Sequence, residues 1–207
     1  KVSLQCSWPD TDTLFIIDST LNISPYDHVQ EIAFVQKLLT RMTISSNHTR
    51  VAIAQFTPRS KHELSLAATG GPNGAETALS TVQSLQHIGC DITKDENGCE
   101  PTASVNMIAQ YSLKEGNRKQ IPDVIIVVSS SKWPIPELVR IQRDKETLMS
   151  PTSPIHAFYI LVGSSSVPQR KFEPAATSIM LTAVDFSSLI DLVHPLCRSV
   201  NDFVFYG

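Results

Sequence analysis

The sequence predicts an α/β fold, a three-layer, doubly wound, Rossmann-like arrangement in which helices cover both faces of a mostly parallel sheet. Three observations carry this. Short apolar runs at residues 14–17, 51–56 and 124–128 are bounded by polar residues, as strands buried on both faces are. Segments with helical spacing lie between those runs, which implies right-handed crossovers. The 207 residues, 42% hydrophobic and 18% charged, suffice for one substantial core, so residues 1–207 are expected to form a single domain.

The elements follow in order. The first strand runs from Thr13 through Phe15, Ile16 and Ile17 to Asp18, then breaks into Ser19, Thr20, Leu21 and Asn22. Open α/β sheets bind ligands beyond the carboxyl ends of such strands, so Asp18, Thr20 and Asn22 fall where a ligand or hard cation would sit. A helix opens between Asn22 and Pro25, with Val29, Ile32, Val35, Leu39 and Met42 at helical spacing and an end before Ser45. Residues 51–56 form the second strand, and residues 61–66 alternate like a shorter edge strand. The glycine cluster at residues 70–74 lacks the spacing of a phosphate loop and reads as a turn. It leads into a helix through Ala78, Leu79, Val82, Leu85 and Ile88. After a polar loop at 89–101, Val105, Ile108, Ala109 and Leu113 mark a third helix stopping near Gly116. Residues 123–128 form the clearest strand, ended by Ser129, Ser130 and Ser131; 138–149 is helical in spacing, and 155–162 and 178–184 are further strands. Residues 186–200 supply the closing helix, with Pro195 as a kink or early end.

Four cysteines set the compartment. Cys6 precedes the first strand and Cys197 lies in the last helical pattern, while Cys90 and Cys99 flank a polar loop, which suggests a terminal staple and a loop clip. Metal binding is the rival reading, but no CxxC pair and no nearby histidine supports it, so disulfides are favoured. The sequons at Asn22 and Asn47 match the N-glycosylation pattern and point the same way, to a secreted protein or an ectodomain. A net charge of −3 and a pI near 6.1 argue against nucleic acid as partner. No apolar run approaches the ~20 residues that cross a bilayer. The chain begins at Lys1 without a signal-peptide pattern, as a processed or excised chain would.

The order of elements resembles a von Willebrand factor type A domain. The match rests on residues 15–22, standing for a strand ending in Asp-x-Ser-x-Ser, on 61–66 for an antiparallel edge strand, on 100–103 for a threonine loop, and on 124–131 for a strand ending in Thr-Asp-Gly. It covers residues 13–200, and cysteines bracketing the fold recur in extracellular members. The resemblance implies a metal-ion-dependent adhesion site, where five oxygen ligands hold Mg²⁺ and a partner's acid completes the shell. Residue by residue, the positions are Asp18, Thr20, Asn22, Thr102 and Ser130. Threonine keeps the hydroxyl of serine. Asn22 offers a carbonyl on a longer stem, which disturbs the ~2.0–2.1 Å octahedral shell of Mg²⁺. Ser130 replaces the second aspartate, and a unit charge near a cation is worth about 4 kcal/mol at 4 Å, or roughly a thousandfold in affinity. A vestigial site, with Asp18 hydrogen-bonded to the Thr20 and Thr102 loops and no cofactor bound, is the favoured expectation. A weak Mg²⁺ site is the alternative.

Other sites carry less. Asp10 and Asp12 resemble the aspartate pair of haloacid-dehalogenase phosphatases, but they precede the strand instead of following it. Ser129–Ser131 and Ser164–Ser166 follow strands without a GxSxG elbow. The six histidines, His28, His48, His62, His87, His156 and His194, show no ligand spacing. Lys132 and Trp133 follow the serine loop and form a candidate partner-binding rim, although Trp133 also suits a core cap under the next helix. The expectation is therefore a non-catalytic module that binds an extracellular or cell-surface protein, against an enzyme using Asp18 as nucleophile or base.

Overall fold

Strand β1 (Asp12–Asp18) is buried along its whole length, because neighbours flank both its edges and helices cover both its faces. A computed structural model describes residues 6–57, 60–90, 105–130, 155–163 and 178–206. Six strands, β1, β2 (Arg50–Phe56), β3 (Lys61–Leu64), β4 (Asp123–Ser130), β5 (Ile155–Val162) and β6 (Ser178–Ala183), form one sheet in the order β3-β2-β1-β4-β5-β6. All neighbouring pairs are parallel except β2 with β3. The sheet is therefore mostly parallel with one antiparallel edge, as predicted.

Side-chain alternation divides the core in two. Phe15, Ile17, Val51, Ile53, Ile126 and Phe158 pack with α1 (Pro25–Leu39), α3 (Gly74–Ser84) and α5 (Val193–Tyr206) on one face. Leu14, Ile16, Ala52, Ile125 and Tyr159 pack on the other with Leu66 of α2 (Leu66–Thr69) and with Ile108 and Ala109 of α4 (Val105–Ser112).

Several boundaries differ from the sequence reading. Ser24 caps α1 in a reciprocal box with Asp27, and Pro25 takes the first helical position, where its missing N–H costs nothing. The helix ends at Leu39, and its buried face is His28, Glu31, Phe34, Val35, Leu38 and Leu39. Val29, predicted to face the core, is 59% exposed. The apolar pattern was read out of phase because two of the buried positions are polar. Edge strand β3 stops at Leu64, and Leu66 heads α2 instead. Helix α3 ends at Ser84; Leu85 is already extended and Ile88 lies beyond. The closing segment is a 3-10 turn (Phe186–Leu192), capped by Asp185, followed by α5. Pro195 falls in the first turn of α5, so it opens that helix without kinking it.

A glycine is required at Gly116, which ends the α4 segment with φ +88°. A Cβ there would collide with the Ala67 backbone, and the Gly116 carbonyl accepts from Arg50. Cys6 and Cys197 are joined by a disulfide across 191 residues of sequence, a closure worth about 5 kcal/mol in the chain-entropy model. Cys90 is also disulfide-bonded. Cys99, the helix predicted at 138–149 and the serines at 164–166 lie outside the described residues. No described helix is long and apolar enough to cross a membrane.

Candidate functional site

The carboxyl end of β1 is the switch point of the sheet, since the chain leaves β1 for β2 on one side while β4 pairs on the other. Asp18 sits there, fully buried. Its Oδ1 accepts from the Thr20 amide at 2.9 Å and the Thr20 hydroxyl at 2.7 Å. Its Oδ2 accepts from the Ser129 hydroxyl and the Ser130 amide, both at 3.1 Å. A carboxylate has about four lone-pair positions, and four protein donors occupy them here. The local sequence explains the geometry: Thr20 folds back on Asp18 in a tight turn, and its hydroxyl in turn accepts from the Asn22 amide at 3.2 Å.

Of the five positions considered for metal, Asp18, Thr20 and Ser130 converge on this crest, and all three are buried. Asn22 joins them through its backbone, and the residue as a whole is exposed. Thr102 lies outside the described residues, as do Lys132 and Trp133. Ser129, which the sequence reading placed only in a serine loop, supplies a hydroxyl directly to Asp18. Asn47 is exposed at the other end of the sheet, in the loop before β2.

Beneath the crest lies a polar cluster that the sequence reading missed. Gln55 donates from Nε2 to Glu63 at 2.8 Å, which turns its Oε1 toward His28 Nε2 at 3.1 Å; His28 therefore carries its proton on Nε2. Burial lowers the pKa of His28, against the Gln55 hydrogen bond. The His87 ring meets His28 edge to face at 5.5 Å, and its Nε2 donates to the Thr20 carbonyl at 3.1 Å. Glu31 is fully buried, and neither of its oxygens has a hydrogen-bond partner of good geometry. Burial first, then the Asp18 charge, pushes its pKa well above the usual carboxyl range, against a weaker contribution from the Asp18 backbone. The one signal in the sequence was that His28 and Glu31 sit three apart within an otherwise apolar helical face. Among the described residues no group of three or more His, Cys, Asp or Glu side chains is arranged to hold a metal ion.

The opposite end of β1 accounts for the other acidic pair. Asp12 accepts from Arg118 at 2.6 Å and 2.9 Å, and from the Arg118 amide at 2.7 Å. Asp10 pairs with His48 at 3.1 Å. Both lie at the edge of the sheet away from Asp18, as their position before the strand predicted. A groove of about 270 Å³ between β3 and α4 brings His62 Nδ1 to 2.6 Å from the Ser112 hydroxyl. Ser112 is buried; of the two acids lining the groove, Glu63 and Glu115, Glu63 is committed to Gln55 and Lys61. Among the described residues neither carboxylate hydrogen-bonds His62, the contact that orients an imidazole for acyl transfer.

Known proteins share this architecture. No curated protein sequence matches the chain significantly. Proximal thread matrix protein 1 from the mussel byssus superposes with a TM-score of 0.68 at 16% identity over 94% of this chain and 49% of that one. The same mussel protein with a zinc-occupied adhesion-site motif gives 0.66 at 14%, over 94% and 48%. A type A domain from Catenulispora acidiphila gives 0.64 at 12%, over 93% and 43%. The chain spans about half the length of these structures, and at such identities the likeness shows the fold alone. The sequence itself goes further, because the family model for the von Willebrand factor type A domain matches residues 12–148. With the crest at the end of β1, the antiparallel edge strand and this match together, the chain belongs to the von Willebrand factor type A domain family.

Proposed function

We propose that residues 1–207 form one type A module that binds an extracellular or cell-surface protein, without catalysis and without a metal ion. Type A domains are typically protein-interaction modules, and the mussel relative in fold is a matrix protein by name. The observation that carries the metal-independent reading is the saturated Asp18 carboxylate. A divalent ion here would have to displace hydrogen bonds from Thr20, Ser129 or Ser130, and the position that carries the second acid in the family is Ser130. Hard cations of this kind need several anionic or carbonyl oxygens, so the donor set fits one poorly. Against catalysis stands the same arrangement: Asp18 has no free lone pair directed at a substrate, and neither Asp10 nor Asp12 shares its end of the sheet.

The extracellular setting is supported by the Cys6–Cys197 disulfide. Contact through the rim that includes Lys132 and Trp133 is part of this proposal. A second reading, a domain retaining a weak cation site at Asp18, Thr20, Asn22, Thr102 and Ser130, is favoured by the zinc-occupied motif of the mussel protein. Calorimetric titration with Mg²⁺ and Mn²⁺ separates the two. The metal-independent module gives no saturable heat below millimolar concentration and melts at the same temperature in EDTA. Micromolar binding that disappears in Asp18→Ala establishes the second reading instead.

A further inference from the structure

Asn22 stands in an unusual patch of surface. Leu21, beside it, is 57% exposed, and the outward side of the first turns of α1 presents Tyr26 at 67% and Val29 at 59%, three residues apart on one helical face. Ile88, 44% exposed, joins them from across the crest, where the 87–89 segment is tied to Ser19 and Thr20 by three hydrogen bonds. Leu21 lies against this segment, within 4.0 Å of where a Cβ on Gly89 would be. Leu21 and Ile88 thus flank the crest beside one exposed asparagine, and Tyr26 and Val29 follow it on the outward side of α1. Exposed large apolar side chains gathered along so short a stretch of chain call for an occupant.

The sequence supplies one. Asn22-Ile23-Ser24 is an acceptor sequon, and its asparagine is exposed on a loop, its backbone amide donating to the Thr20 hydroxyl. We infer that Asn22 carries an N-linked glycan whose first sugars lie over Leu21, Tyr26, Val29 and Ile88. The apolar face of a pyranose ring and the methyl of its acetamide pack on such side chains, while the hydroxyls keep the outer surface hydrated. In the transfer, Asn22 Nδ2 attacks C1 of a lipid-pyrophosphate-linked oligosaccharide. The N–C1 bond forms, the C1–O bond breaks, the amide proton passes to the transferase's base, and the lipid pyrophosphate leaves. Ser24, the helix cap in the folded protein, serves as the sequon hydroxyl before α1 has formed. The second sequon, at Asn47, is also exposed but is flanked by the polar residues Ser45, Ser46 and His48. It is the internal control.

The inference rests on the extracellular part of the proposed function, and its test is independent of any partner or metal. The 207-residue chain is secreted from a mammalian host behind a heterologous signal peptide, and peptides are mapped after peptide N-glycosidase digestion in ¹⁸O water. Asn22 is expected to be converted to labelled aspartate in most molecules. Folded, secreted protein with unmodified Asn22 overturns the inference, whatever the metal or binding assays give. Asn22→Gln, which leaves the Ser24 cap intact, is expected to raise binding of a hydrophobic dye several-fold. Asn47→Gln should leave it unchanged, and adding Leu21→Ser and Tyr26→Ser to Asn22→Gln should return it to the starting level. Equal dye binding by the two single variants overturns the placement of the sugar on the patch.

Discussion

Asp12 and Asp18 stand at opposite ends of the same seven-residue strand, both fully buried, and the protein surrounds them differently. Asp12 meets the guanidinium of Arg118, whose remaining N–H groups reach the carbonyls of Ser46 and His48 and so clamp the loop before β2. Asp18 meets two hydroxyls and two backbone amides, all neutral. Each end also hides a second acid that is poorly supported: Asp123 near Asp12, and Glu31 near Asp18. An ion pair locks one end as structure. The other end surrounds its carboxylate with dipoles alone.

Four substitutions would break or sharpen this contrast. Arg118→Gln should have the largest effect, since it leaves Asp12 buried without its cation, and a loss of about 3–5 kcal/mol is expected in urea unfolding. Asp18→Ala should cost less, about 2–4 kcal/mol, because the donors it orphans are neutral. An equal or larger loss at Asp18 would mean that the crest is the more structural end. Glu31→Leu should stabilise by about 1–3 kcal/mol, as a buried carboxyl without hydrogen bonds is exchanged for an apolar side chain. A destabilised variant would point to a partner for Glu31 in solution.

Asp123 gives the most pH-dependent effect. Its carboxyl is raised from 3.8 to about 7, by burial first and then by Asp12, against the Asn117 hydrogen bond and the Arg118 charge. The folded protein therefore holds a proton that the unfolded chain releases between about pH 4 and 7, and stability falls as pH rises through that window. Asp123→Asn should flatten this slope, so that its stability relative to the parent rises from pH 4 to pH 8. Melting curves at the two pH values test it, and parallel curves for parent and variant would contradict the assignment.

Strands were legible wherever burial on both faces made the sequence continuously apolar, as at residues 124–128, and the antiparallel edge was legible through its alternation. The terminal disulfide was legible because Cys6 and Cys197 bracket the pattern. Helix α1 was placed correctly but turned wrongly, since a periodicity reading counts Val29 as core and has no reason to bury His28 and Glu31. Asp18 and Thr20 could be found from the strand end alone. The role of Ser129 could not, because which of three consecutive serines faces Asp18 depends on the register of β4 against β1. The polar cluster of His28, Gln55, Glu63 and His87 was invisible for a related reason: its members come from α1, β2, β3 and the segment after α3, and share no spacing.

The bond between Cys6 and Cys197 has a mechanical meaning. Most of the folded chain lies inside the covalent ring it closes, with the sheet and all the described helices except the last part of α5 between those two residues. Tension applied through residues outside that ring passes along the sulfur–sulfur link and leaves the strand ladders unstretched. A module closed this way can sit in a pulled tether and keep its crest intact, and only a reductant would hand the strain over to the hydrogen bonds of the sheet.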